Sequence, residues 1–158
     1  MKKTIRIIAL LLTLVLLTGC GASTKTYTHG DLSMTVPSNM KDVSGKSDFS
    51  TFTFALDSSK IAIFGLNETF ADYPILENYN TEEYAELVIM SYGLNSTVVQ
   101  RGNYHYLVYT ADTEMGEFTY MAGIFRNAKG FWMVQICTPT GNYNEQTFLT
   151  YMDTVSVG

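Results

Sequence analysis

Four apolar runs follow one another in the second half of the chain: STVVQ (96–100), YHYLVYTADT (104–113), EFTYMAGIFR (117–126) and FWMVQICT (131–138). Each is rich in β-branched and aromatic residues. The gaps between them, RGN, EMG and NAKG, are short and carry the Gly or Asn that tight turns between antiparallel strands need. The pattern predicts an antiparallel meander. Side chains alternate along a strand, so in the last run Phe131, Met133 and Cys137 point one way and Trp132, Val134 and Ile136 the other. Both faces are apolar, and a sheet of this kind has to be covered on both sides.

Two segments can supply the cover. In NTEEYAELVIMSYG (80–93), Asn80 can cap a helix with Glu83 three positions on, Tyr84, Leu87, Val88 and Ser91 share a face, and Gly93 can end it. In NYNEQTFLTYMDTV (142–155), Asn142 or Asn144 can cap a second helix whose stripe is Phe148, Met152 and Val155, with Leu149 beside it. Further strands precede the first helix. DLSMTVP alternates Leu32, Met34 and Val36 before Pro37, FSTFTFAL sets Phe52, Phe54 and Leu56 on one face, and KIAIFGL is apolar on both. Residues 67–80 have no clean period and read as a long connection. The expected fold is α+β, a largely antiparallel sheet made of the meander plus the N-terminal strands, with helices on both faces.

The amino-terminal end reads differently. Lys2, Lys3 and Arg6 precede an apolar run from Ile7 to Leu17 broken only by Thr13. That run is near the length of a signal-peptide core and short of the roughly 20 residues of a membrane-spanning helix. The sequence that follows, Leu17-Thr18-Gly19-Cys20, resembles the lipobox of bacterial lipoproteins. The resemblance implies a diacylglyceryl thioether on Cys20, cleavage between Gly19 and Cys20, and frequent acylation of the new amino terminus. It divides the chain into a signal peptide (1–19), a lipidated tether (20–26) whose six residues after Cys20 reach at most about 20 Å, and one globular domain (27–158). Two or more acyl chains hold a protein stably at a bilayer. The expected location is the extracytoplasmic side of the cell membrane, with the membrane itself as a partner through the lipid on Cys20.

Removal of Lys2, Lys3 and Arg6 would leave seven Lys and Arg against all fifteen Asp and Glu, a formal charge of −8. Such a domain is repelled by nucleic acid and by anionic headgroups, which argues against nucleic-acid binding and leaves anchoring to the lipid. With Cys20 lipidated, Cys137 has no partner for a disulfide, and its neighbours Ile136 and Thr138 offer nothing to activate a thiol.

Catalytic constellations are sparse. His29 and Asp31 in THGD make two metal ligands where zinc needs three or four, so no metal and no cofactor is expected. His105 alternates onto the face of Leu107 and Tyr109 and reads as a packed or edge-exposed residue, not a catalytic base. Glu114 and Glu117 flank a turn, where carboxylates are usually solvated; a glycosidase-like pair depends on the fold. All eleven tyrosines follow the signal segment, and they fill the sheet faces or form a contact surface. Within the long connection, Phe70, Asp72, Tyr73 and Tyr79 make an aromatic-acidic candidate loop for a partner, the alternative being that Phe70, Tyr73 and Leu76 pack beneath the helix.

The order of elements, an N-terminal strand ending in Pro, paired strands, a helix, a four-strand meander closing on GFWMVQI and a terminal helix, resembles the PsbP-like α/β/α sandwich over residues 27–158. The resemblance implies a non-catalytic accessory or assembly role; none of that family's ligand-binding residues maps onto a position here. The sequence thus reads as an extracytoplasmic lipoprotein, not an enzyme, that binds a protein or envelope component. The alternatives are a small extracytoplasmic hydrolase using carboxylates and a ligand-binding sensor.

Overall fold

The computed structural model describes residues 23–44, 51–56 and 61–158. The meander is present as β6 (Val99–Arg101), β7 (Tyr104–Thr113), β8 (Gly116–Arg126) and β9 (Gly130–Pro139), each antiparallel to the next. The β7–β8 turn is tight because Gly116, at φ 109°, takes a backbone conformation that a side chain would oppose. β9 lies centrally. Its other edge pairs with β5 (Ile61–Thr69), which pairs with β4 (Phe52–Leu56), and β4 pairs with β3 (Lys41–Asp42), giving a seven-stranded sheet. β9 is buried from Gly130 to Thr138, as a strand covered on both faces must be.

The first strands depart from expectation. β2 (Leu32–Pro37) does not join the large sheet. It lies between β1 (Thr24–His29) and β10 (Ser156–Val157) in a separate three-stranded antiparallel sheet. The reason is its one-sided burial: Leu32, Met34 and Val36 pack onto the large sheet's face, so its backbone must find partners in another layer. Thr24, Lys25 and Thr26, expected in the tether, are residues of β1, with Lys25 opposite Val36. Cys20, Gly19 and the rest of the expected signal segment lie outside the described residues. Among the described residues, no helix is long and apolar enough to cross a membrane.

Two helices cover the two faces. α1 (Thr81–Tyr92) begins at Asn80, whose side chain accepts from the N–H groups of Glu82 and Glu83 while the Glu83 carboxylate accepts from the Asn80 N–H; it ends at Gly93, left-handed at φ 61°. α1 contributes Tyr84, Ala85 and Val88 to a core with Leu107, Ala122, Ile124, Phe131 and Met133. α2 (Glu145–Met152), capped by Asn144, places Phe148, Leu149 and Met152 against the opposite face together with β2. The connection of residues 67–80 is more ordered than its sequence suggests. Asn67, Glu68 and Thr69 complete β5, and Pro74–Asn78 forms a 3-10 turn that buries Leu76.

Two side-chain clusters tie the layers. Asp31, in the β1–β2 turn, accepts from Trp132 Nε1 and Asn127 Nδ2, each at 2.8 Å, while Asn127 also donates to the Gly158 carbonyl at 2.7 Å. At the other end Arg101 holds Asp153 through two N–H···O bonds of 2.7 and 2.6 Å, and Tyr104 donates to the same carboxylate at 2.9 Å. The guanidinium, first, and the Tyr104 hydroxyl hold the Asp153 carboxyl below its usual range against the opposing effect of burial.

Candidate binding groove

Because every pairing in the large sheet is antiparallel and in register, the face beneath α1 can be read as rows crossing β5, β9, β8 and β7. One row is Leu66, Met133, Ile124 and His105; the next is Phe64, Gln135, Ala122 and Leu107; the third is Ala62, Cys137, Tyr120 and Tyr109. α1 lies over the first of these and over Ala122 and Leu107 of the second. His105 fixes its start, with Nδ1 2.8 Å from the Thr81 hydroxyl. The third row extends past the helix, and between the two a cavity of about 490 Å³ opens. Gln135 and Ala122 line it from the sheet, Tyr109 and Tyr120 form one wall, and Val88, Tyr92 and Leu94 close the α1 side. The hollow exists because Ala122 and Ala111 are too short to fill it.

The walls are neutral. Tyr109 and Tyr120 are directly paired across β7 and β8, and their rings stack with centroids 5.0 Å apart and planes within 6°. Burial, and then the adjoining Tyr120, pushes the Tyr109 phenol well above its usual range, so it stays protonated and donates to Gln135 Oε1 at 2.8 Å. Gln135 is 9 % exposed, and among the described residues its Nε2 meets only the Met133 thioether, at 3.7 Å. A thioether is a weak acceptor. Cys137 stands beside this row; burial pushes its thiol up to about 11, the wrong direction for a nucleophile at neutral pH.

A second hollow, of about 410 Å³, lies where the small sheet meets the large one and is lined by His29, Asp31, Lys129 and Trp132 among others. Its carboxylate is committed to the fold. Burial alone would raise the Asp31 carboxyl, but the N–H donors of Trp132 and Asn127, with Lys129 3.8 Å away, outweigh it and hold the group below its usual range. His29 Nδ1 faces the Tyr27 hydroxyl at 3.3 Å. Among the described residues no three His, Cys, Asp or Glu side chains gather as a metal site. Glu114 and Glu117 are both exposed at the β7–β8 turn.

The loop residues do not gather into one surface. Phe70 packs edge-on against Phe131, centroids 5.7 Å apart, beneath the Arg126 guanidinium at 5.0 Å. Tyr79 is half-buried against the α1 core. Tyr73 is 52 % exposed, and Asp72 is exposed and bonded to the Thr69 hydroxyl at 2.6 Å. Sequence reasoning missed Gln135, Ala122 and the Tyr109–Tyr120 pair. The available signal was a single carboxamide within the otherwise apolar FWMVQIC, since a Gln on a strand buried on both faces must have a polar partner.

No family model matches the chain, and no curated protein matches it. The fold is similar to a crystal structure from Bacteroides thetaiotaomicron with a TM-score of 0.57 and 13 % identity, over 85 % of this chain and 48 % of that one. This chain therefore spans about half the length of that protein. At this identity the likeness concerns the fold: mixed α+β with two antiparallel sheets and two helices.

Proposed function

We propose that this protein is a lipid-anchored, extracytoplasmic binding protein, held at the cell membrane by acyl chains on Cys20, and that it acts without catalysis on a component of the cell envelope. The groove between α1 and the large sheet carries the binding half of this reading: it is concave, mostly apolar and supplied with a few converging polar groups, the usual character of a ligand site. The lipobox Leu17-Thr18-Gly19-Cys20 carries the anchoring half. The order of strands and helices supports a PsbP-like sandwich, in which the small sheet and α2 form one outer layer and α1 the other. Of the loop residues, Tyr73 and Asp72 have the exposure a macromolecular partner would need.

The test of the anchor is phase partition. In a bacterial host with lipoprotein processing, the full chain is expected in the detergent phase of Triton X-114 and Cys20→Ser in the aqueous phase. A Cys20→Ser protein that still matures and enters detergent overturns the anchoring reading. A groove that carries a bound envelope molecule through purification supports the ligand-binding alternative over the hydrolase. Turnover of that molecule by the protein would reverse the preference.

A further inference from the structure

The two faces of the large sheet treat their hollows differently. On the α2 side, Gly65, Val134 and Gly123 lie in one row, and the space above both glycines is taken. A Cβ on Gly65 would come within 2.2 Å of the Phe52 ring, and one on Gly123 within 2.9 Å of Met152 Sδ. On the α1 side the helix packs over Leu107 and Ala122, yet beside Gln135, between Val88, Tyr92 and the Tyr109–Tyr120 pair, about 490 Å³ remains open. That volume lies within the range of small-molecule sites, about 300–1,000 Å³.

Three features define a guest. The lining holds no Asp, Glu, Lys, Arg or His, on a chain of net charge −5; a charged molecule entering it would lose its water and gain no counter-charge. The stacked pair Tyr109 and Tyr120, planes within 6°, gives one side of the cavity an aromatic lining. The Gln135 amide is nine-tenths buried, and its Nε2 faces a thioether in place of an oxygen; an amide carries two N–H donors, and a buried donor without a good acceptor is costly.

We infer that the cavity binds a small, uncharged, planar apolar molecule carrying a carbonyl or ether oxygen, its ring against the Tyr109–Tyr120 pair and its oxygen accepting from Gln135 Nε2. The inference rests on the groove being the binding surface, and it names the class of ligand for that surface.

The probe is benzophenone, a neutral ketone with two flat rings that inserts into nearby C–H bonds on irradiation. It is used on the full chain in a nonionic detergent, with adducts mapped by peptide mass spectrometry. Adducts are expected on the segments 88–94 and 133–135. Ala122→Leu, which fills the hollow, and Gln135→Met, which keeps the side-chain length but removes the donors, are each expected to lower the yield, the first by about tenfold. The anionic relative 4-benzoylbenzoate is expected to label about tenfold less than benzophenone. Fluorenone, flat and neutral, is expected to compete, and decan-1-ol is not. Adducts scattered outside the groove, or unchanged in both variants, overturn the site. Equal labelling by the anion overturns the uncharged class, and equal competition by decan-1-ol overturns the planar one. If Ala122→Leu does not fold, Gln135→Met and the competitors decide. None of these outcomes bears on the anchor, whose failure is read separately from Cys20→Ser.

Discussion

Tyr84 lies flat on Phe131, ring centroids 4.2 Å apart and planes within 14°, while its hydroxyl donates to Glu68 Oε2 at 2.6 Å. One side chain of α1 thus joins the helix to the start of β9 by stacking on Phe131 and to β5 by a hydrogen bond. Burial, and then the Glu68 carboxylate, raises the phenol far above its usual range, so the hydroxyl remains a donor at all ordinary pH.

Tyr84→Phe keeps the stack and removes the bond to a carboxylate, so it is expected to cost about 2 kcal/mol. Tyr84→Ala also opens a cavity over Phe131 and is expected to cost about 4 kcal/mol. Urea unfolding of both variants checks this, read at the midpoint with the slope unchanged. A Tyr84→Phe protein as stable as the parent would mean that the Glu68 bond contributes nothing net.

Gly65 is expected to be intolerant of even one methyl. The Phe52 ring occupies the place of a Cβ, with Cε1 2.2 Å from it, and Phe52 is fully buried, so the ring has little room to move. Gly65→Ala should destabilise by about 1–3 kcal/mol. Combining it with Phe52→Leu should cost less than the sum of the two single changes, because the smaller side chain vacates the contested space. Strict additivity in that double-mutant cycle would show that the two positions do not compete.

Local chemistry is what made parts of this fold legible. The ends of α1 are written in Asn80, Glu83 and Gly93, which act on backbone groups within one turn. The meander is legible because turn residues and period-two alternation are also local. The three-stranded sheet is not: Ser156 pairs with Ser33 across the whole domain, β10 has only two residues, and β1 is mostly polar and exposed, so neither strand carries a pattern of its own. The groove falls between these cases. Alternation alone puts Tyr109, Tyr120 and Gln135 on one face, but only the register of β5, β9, β8 and β7 brings Ala122 between Gln135 and Leu107, under α1, and sets the Tyr109–Tyr120 pair one row further along, where the cavity opens. Phe70 shows the opposite limit, since an aromatic residue in a loop looks like contact surface until its partners, Phe131 and Arg126, are known.

Acid should loosen the corner around Asp31. Its carboxyl sits below the usual range in the folded protein, so the stability it contributes is present above the unfolded value near pH 3.9 and is lost as pH falls through the lower folded value. Asp31→Asn should therefore flatten part of the acid-side loss in a comparison of thermal midpoints at about pH 6 and about pH 3. Asp31→Ala leaves the indole N–H of Trp132, a residue 3 % exposed, without its acceptor and should cost about 1–3 kcal/mol at neutral pH. Identical acid-side slopes for the parent and Asp31→Asn would remove Asp31 from the acid response.

Cys137 should be silent until the domain opens. Burial pushes its thiol up to about 11, and the side chain is 7 % exposed, so both thiolate fraction and access are low. In Cys20→Ser, where Cys137 is the remaining thiol, alkylation by iodoacetamide at about pH 8 should be at least on the order of a hundredfold slower in the folded protein than in urea, from the thiolate fractions alone. The same shift acts on stability in the direction opposite to Asp31. A folded value above the unfolded one favours the native state fully below about pH 8.5, and that contribution is lost as pH climbs through the folded value. Cys137→Ala removes the ionisation and should stay folded to higher pH than the Cys20→Ser parent. A thiol that reacts at the same rate folded and unfolded would mean that Cys137, in the third row of the sheet, is open to solvent, and the burial that raises its thiol would fail with it.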